Sequence, residues 1–152
     1  MSQVPSPFGG DEGAVTASTG EEGFLTEINA AGHALLGDEP AAVGGTDAGP
    51  SPYDLLSAAL ASCTSMTLQL YARRKEFPLL RVTVSVRHTR IHTRDCAECE
   101  TKEGWIDEFQ RQIALEGDLD DDARQRLLAI ADRCPVHQTL TKEVRILTTL
   151  VN

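Results

Sequence analysis

The chain has 152 residues, 41% apolar and 24% charged, with a formal net charge of −9 at neutral pH. That length suits one domain able to bury well over half of its unfolded surface, and the composition is that of an ordinary soluble globular protein. All 14 Lys and Arg residues lie from Arg73 onward, so the first half would repel phosphate groups, and the expectation is no nucleic acid and no membrane among its partners.

The N-terminus has no basic stretch leading into an apolar core, and no apolar run approaches the roughly 20 residues that span a bilayer. A cytoplasmic protein is expected, and four cysteines in a reducing compartment are more often catalytic, metal-bound or buried than structurally bridged. Residues 1–20 are rich in Gly, Ser, Thr, Pro and acidic residues without an apolar period. They read as a flexible segment or a weak edge element ahead of a single domain over 21–152. Phe24–Ile28 and His33–Leu36 form two short strands around a Gly-containing turn, and the Pro- and Gly-rich stretch 38–52 is loop.

A long helix follows. Ser51 is a suitable N-cap, Pro52 fits the first helical position, and Asp54 lies in the first turn, where the helix dipole favours negative charge. Leu55, Leu56, Ala59, Leu60, Cys63, Met66, Thr67, Leu70 and Tyr71 occupy nearly every side, which predicts a helix buried all round. The cluster Arg73-Arg74-Lys75 suits its C-terminus, and Pro78 prevents continuation. Leu80, Val82, Val84 and Val86 alternate with polar residues as in a half-buried strand, and Trp105–Leu115 pairs back on it across a loop from Arg94 to Gly104. The acidic run 118–122 opens a helix whose stripe is Ala123, Leu127, Ile130 and Ala131. A helical turn after Cys134-Pro135 and a closing strand from Glu143 to Val151 complete an α+β chain with a mainly antiparallel sheet and a long central helix.

Two cysteines carry the chemistry. Cys63 lies mid-helix among apolar neighbours, where a thiol can also be a plain small hydrophobe. Cys134 precedes Pro135 at the start of a helical turn, where free backbone N–H groups lower a thiol's pKa. His137, three residues on, can serve as proton donor, as thiolate partner, or as a polar cap of a tight turn. Cys96-Ala-Glu-Cys99, preceded by His88 and His92, has three readings: a tetrahedral zinc set, a second redox dithiol, or a solvated hairpin loop. No metal is expected, with Cys96 and Cys99 as candidate secondary redox residues.

Gly49-Pro-Ser-Pro-Tyr-Asp-Leu-Leu56, running into Ala58-Ala-Leu-Ala-Ser-Cys63-Thr, resembles the central-helix signature of the OsmC/Ohr family. Asp132-Arg-Cys134-Pro-Val-His137 resembles its second cysteine motif, in a less characterised branch with Cys-Pro-Val-His. The resemblance implies an intertwined homodimer and a cysteine-based peroxidase that reduces small apolar organic hydroperoxides in the oxidative stress response. By that resemblance Cys63 is the peroxidatic cysteine and Cys134 the resolving one. No cofactor is implied beyond an external dithiol reductant of lipoyl type. The family's Glu beside the peroxidatic cysteine is matched by Tyr53, with Asp54 following, and the family's early Arg has no counterpart before Arg73. Any cation near Cys63 is therefore expected from residue 73 or later, from a partner subunit or from His137. The alternative function is a non-catalytic ligand-binding or redox-sensing dimer.

Overall fold

The computed structural model of the protein describes residues 13–151. The chain forms two compact units, one built from the part up to Leu55 together with the last residues from Leu147, the other from Leu56 to Ile146. Of the flexible segment expected over 1–20, residues 1–12 lie outside the described residues. The remainder holds a strand, β1 (Val15–Thr19), at the edge of the first unit's sheet.

In the first unit β1, β2 (Thr26–Ala30) and β3 (His33–Gly37) form an antiparallel meander. The β2–β3 turn is the two residues Ala31 and Gly32, both left-handed at φ 52° and 88°, the conformation that matches strand twist in a tight hairpin. Asn29 Oδ1 accepts from the Gly32 N–H at 2.9 Å and fixes that turn. The loop that follows is organised by Asp38, a buried carboxylate. Its oxygens accept from the Glu39 N–H at 2.8 Å, the Thr46 hydroxyl at 2.6 Å, and the Thr46 and Ala48 N–H groups at 3.1 Å each. The Thr46 hydroxyl foremost, with those amides and against the effect of burial, holds this carboxyl at about 2. Asp38 is thus ionised at neutral pH and acts as the internal anchor of the loop that leads to the long helix.

That helix, α1 (Pro52–Arg74), starts as the sequence dictates. The Asp54 N–H donates to Ser51 Oγ at 3.2 Å and the Ser51 N–H donates back to Asp54 Oδ2 at 3.0 Å, a reciprocal cap. By length and composition α1 is apolar enough to cross a membrane, which corrects the expectation that no run is long enough; the core helix of a soluble protein meets the same criterion. The expectation of burial all round is also corrected. Within one chain only the stripe Leu60, Thr64, Leu68 and Ala72 is buried, while Met66 remains 71% exposed. A fourfold spacing covers one face of a helix, and the other elements of the second unit supply cover for that face alone.

In the second unit β4 (Leu79–His92) and β5 (Trp105–Gly117) form a long antiparallel hairpin, paired from Leu79–Gly117 to His92–Trp105. A register shift between Leu79 and Arg81 leaves Leu80 without a partner and 81% exposed. Leu80 therefore does not continue the apolar face of Val82, Val84 and Val86, because one extra residue in a ladder turns a side chain to the other side. Next comes α2 (Asp121–Ala131), capped by Asp120, whose carboxylate accepts from the Ala123 N–H at 2.7 Å. Leu68 and Ala72 of α1 pack with Leu119, Ala123, Leu127 and Ala131, flanked by Tyr71, Phe77, Val82 and Ile113. The short α3 (Pro135–Leu140) follows directly.

The closing strand expected over 143–151 is not formed: the stretch carries no strand hydrogen bonds, and Ile146 and Leu150 are 83% and 85% exposed. Its apolar residues have the composition of a strand, but neither sheet of the described residues includes it as a partner. The α+β class, with antiparallel sheets and one long helix, stands as expected.

Candidate active site

Cys63 lies on the side of α1 that lines an open apolar groove of about 390 Å³. Ala59, Ser62, Cys63, Met66, Thr67 and Leu70 come from successive turns of that helix, and Pro135 and Val136 close the groove from the start of α3. The hydroxyls in this wall are turned back on the helix. Ser62 Oγ donates to the Ala58 carbonyl at 2.8 Å and Thr67 Oγ1 to the Cys63 carbonyl at 2.7 Å. The groove thus offers methyl and methylene surface plus one thiol.

Cys134 is fully buried. The turn Asp132-Arg133 ends α2, the Cys134 N–H donates to the Ala131 carbonyl at 3.2 Å, and Pro135 opens α3 without needing a donor. The Val136 and His137 N–H groups point toward the Cys134 sulfur without closing a formal capping bond. They act on it as oriented dipoles.

The structure brings Cys63 and Cys134 together, and their thiols interact as donor and acceptor. Burial, and then the proton given to Cys134, push the Cys63 thiol up, against the Val136 N–H and the Thr67 hydroxyl. Burial pushes Cys134 up as well, but the Cys63 thiol, the His137 N–H, the Thr64 hydroxyl and the Val136 N–H outweigh it and bring Cys134 below the ordinary cysteine value. Cys134 is therefore the more acidic thiol of the pair, while the thiol facing the groove is Cys63.

Sequence reasoning expected a cation from residue 73 onward without singling out Arg111. Arg111 of β5 reaches Thr64 Oγ1 at 3.1 Å, the Ala131 carbonyl at 3.3 Å and Asp132 Oδ1 at 2.8 Å. A signal existed: Arg111 stands two residues from both Phe109 and Ile113, on the inward face of a strand whose other faces alternate regularly. His137, the expected local cation, turns its ring toward the same carboxylate, with Nδ1 at 3.8 Å from Asp132 Oδ1. It contributes to Cys134 through its backbone N–H.

The remaining candidates have local tasks. Asp54 is committed to the cap of α1, and Tyr53 lies half exposed in that first turn. His88 Nε2 is 2.9 Å from Asp107 Oδ1 across the hairpin, with its ring tilted on Phe109. His92 Nδ1 accepts from the Arg94 N–H at 3.2 Å and its ring meets Trp105 edge-on. Cys96 and Cys99 form a disulfide with their Cα atoms 5.6 Å apart. Among the described residues no group of three or more His, Cys, Asp or Glu side chains is arranged to hold a metal.

Comparison with known proteins gives this arrangement a context. The sequence pattern of the family described as OsmC-like protein matches residues 45–149. No curated protein matches the sequence. An OsmC-like protein from Mycoplasma pneumoniae superposes with a TM-score of 0.66 at 19% identity, over 85% of this chain and 86% of that one. An organic hydroperoxide resistance protein OsmC from Legionella pneumophila gives 0.61 at 20% identity, over 84% and 88%. The organic hydroperoxide resistance protein OhrB of Bacillus subtilis gives 0.58 at 21% identity, over 84% and 89%. At such identities these likenesses establish a shared fold.

Proposed function

Because the chain belongs to the OsmC-like protein family, some of whose structural relatives are named for organic hydroperoxide resistance, we propose that it is a thiol peroxidase acting through Cys63 and Cys134. The observation that carries this reading is a buried Cys134, the more acidic of the two thiols, held against a Cys63 thiol that faces an apolar groove. A thiol itself is a poor nucleophile, and its thiolate is the reactive species. In this proposal Cys134, the thiol of the pair that ionises first, is the base. As the hydroperoxide enters, Cys63 gives its proton to the Cys134 thiolate and attacks the terminal peroxide oxygen. The O–O bond breaks, Cys63 becomes a sulfenic acid, and the alkoxide leaving group takes the proton back from Cys134 to leave as an alcohol. The regenerated Cys134 thiolate then displaces hydroxide from the Cys63 sulfenic acid and forms the Cys63–Cys134 disulfide. An external dithiol reduces that disulfide by exchange and leaves as its own cyclic disulfide. A dithiol of lipoyl type, slender and apolar, fits the groove that admits the substrate.

This reading includes a homodimer. Met66 and Leu70, one turn apart on α1, stay 71% and 48% exposed and leave an apolar helix face in water within one chain. A second copy of the chain covers it in the proposed assembly.

The test is consumption of cumene hydroperoxide by the reduced protein with dihydrolipoamide, beside hydrogen peroxide at equal concentration. Burial of even two methylene-sized groups in the groove is worth about 1.6 kcal/mol, so at least about a tenfold preference for the organic substrate is expected. No consumption, or faster removal of hydrogen peroxide, contradicts the proposal.

A further inference from the structure

We propose that Arg111 is a positioning residue for the cysteine pair: one guanidinium on β5 brackets the backbones that carry Cys63 and Cys134 and passes its positive charge to Cys134 through the Thr64 hydroxyl. Thr64 is the residue after Cys63, and Arg111 Nη1 donates to its Oγ1 at 3.1 Å. The same nitrogen donates to the Ala131 carbonyl at 3.3 Å, the carbonyl that also accepts from the Cys134 N–H at 3.2 Å. Nη2 donates to Asp132 Oδ1 at 2.8 Å, two residues before Cys134. One side chain thus ties the helix of one cysteine to the turn of the other.

The charge balance supports more than a brace. The Arg111 side chain is 13% exposed whereas its ion partner Asp132 is 69% exposed. Water screens the carboxylate while the guanidinium keeps its charge inside the protein, and a charge taken from water needs compensation there. The Thr64 hydroxyl is fully buried and has a single proton. Two acceptors compete for it: the Leu60 carbonyl, to which Thr64 Oγ1 donates at 2.7 Å, and the Cys134 sulfur. An N–H of Arg111 on the hydroxyl oxygen polarises the O–H and makes it a stronger donor when the sulfur is a thiolate. Of the other titratable residues, Cys63 of α1 faces Cys134 with its thiol and His137 of α3 reaches it with its backbone N–H. Arg111 is the permanent positive charge that the structure bonds both to Thr64 beside Cys63 and to the carbonyl that receives the Cys134 N–H.

The experiment is a pH titration of thiolate absorbance near 240 nm on reduced protein. It carries Cys96→Ser and Cys99→Ser so that only Cys63 and Cys134 titrate. It reads ionisation without a peroxide, so the inference, although it concerns the pair assigned above, fails or survives independently of turnover. Arg111→Gln should raise the midpoint of the first ionisation by about one pH unit, and Arg111→Lys, which keeps the charge, should recover at least half of that shift. Thr64→Val should also raise it, and the double variant should add nothing beyond the larger single shift. If Arg111→Gln does not fold, Thr64→Val decides, because it leaves the Arg111 bonds to Ala131 and Asp132 in place. An unmoved midpoint in the folded variants, with Gln and Lys equally lowering the Tm, would reduce Arg111 to a brace and overturn the proposal. Fully additive shifts would overturn the passage of charge through Thr64.

Discussion

Replacing Cys63 with Ser is expected to lower hydroperoxide turnover by about a thousandfold or more, while Cys134→Ser leaves a single slow turnover. The first variant removes the nucleophile, and a serine hydroxyl beside a thiolate base cannot form the sulfenic acid on which the sequence of steps depends. The second keeps the nucleophile and loses two things at once. Without Cys134 as the base the first oxidation should slow about a hundredfold, the usual lower contribution of general-base catalysis. Without Cys134 as the second sulfur the sulfenic acid on Cys63 should persist and be trapped by dimedone. The wild-type rate should fall on acidification through the lowered pKa of Cys134, since the pair is reactive only while it holds one thiolate. Rapid-quench measurement of peroxide loss in the three proteins separates these outcomes, and a Cys63→Ser protein of undiminished activity would place the chemistry elsewhere.

Leu127→Ala is expected to destabilise the protein by about 3–5 kcal/mol and to lower the Tm on the order of 10 °C. Leu127 is fully buried, and three of its core neighbours, Ala72, Ala123 and Ala131, are already as small as a side chain with a Cβ can be. They cannot move in to fill the space, so the cavity should remain nearly whole. Leu128→Ala, one residue on and 54% exposed, is the control and should cost under about 0.5 kcal/mol. Because α2 ends at Ala131, whose carbonyl meets both Arg111 and the Cys134 N–H, loosening Leu127 should also weaken the seat of the reactive pair. Calorimetry of the two variants is the check, and equal Tm values would show that the core is not where the structure places it.

Sequence reading reached the helix and the two cysteines because their signals are local. Ser51, Pro52 and Asp54 spell a helix start within four residues, and the motif around Cys134 announces a helical turn. Their proximity came only through resemblance, since nothing in the spacing of Cys63 and Cys134 dictates it. Arg111 was passed over for a physical reason. Its charge suggests the polar face of an alternating strand, and only its spacing from Phe109 and Ile113 marks it as inward. The bulge at Leu80 shows the same blindness, because one extra residue reverses a face without altering composition. The tail 143–151 failed differently: its apolar pattern is real, but a strand is defined by a partner, and no described ladder includes it. The spacing of Cys96 and Cys99 left three readings open, and the structure joins the two in a disulfide.

The most direct test of the central claim is a peptide map of the reduced protein after one equivalent of cumene hydroperoxide, alkylated and digested with no added reductant. The account predicts a peptide pair joined through Cys63 and Cys134, at a yield that tracks the alcohol formed, whether or not Cys96 and Cys99 have been replaced by Ser. Alcohol formed while Cys63 and Cys134 are both recovered as alkylated thiols, or oxidation confined to Cys96 and Cys99, would contradict it.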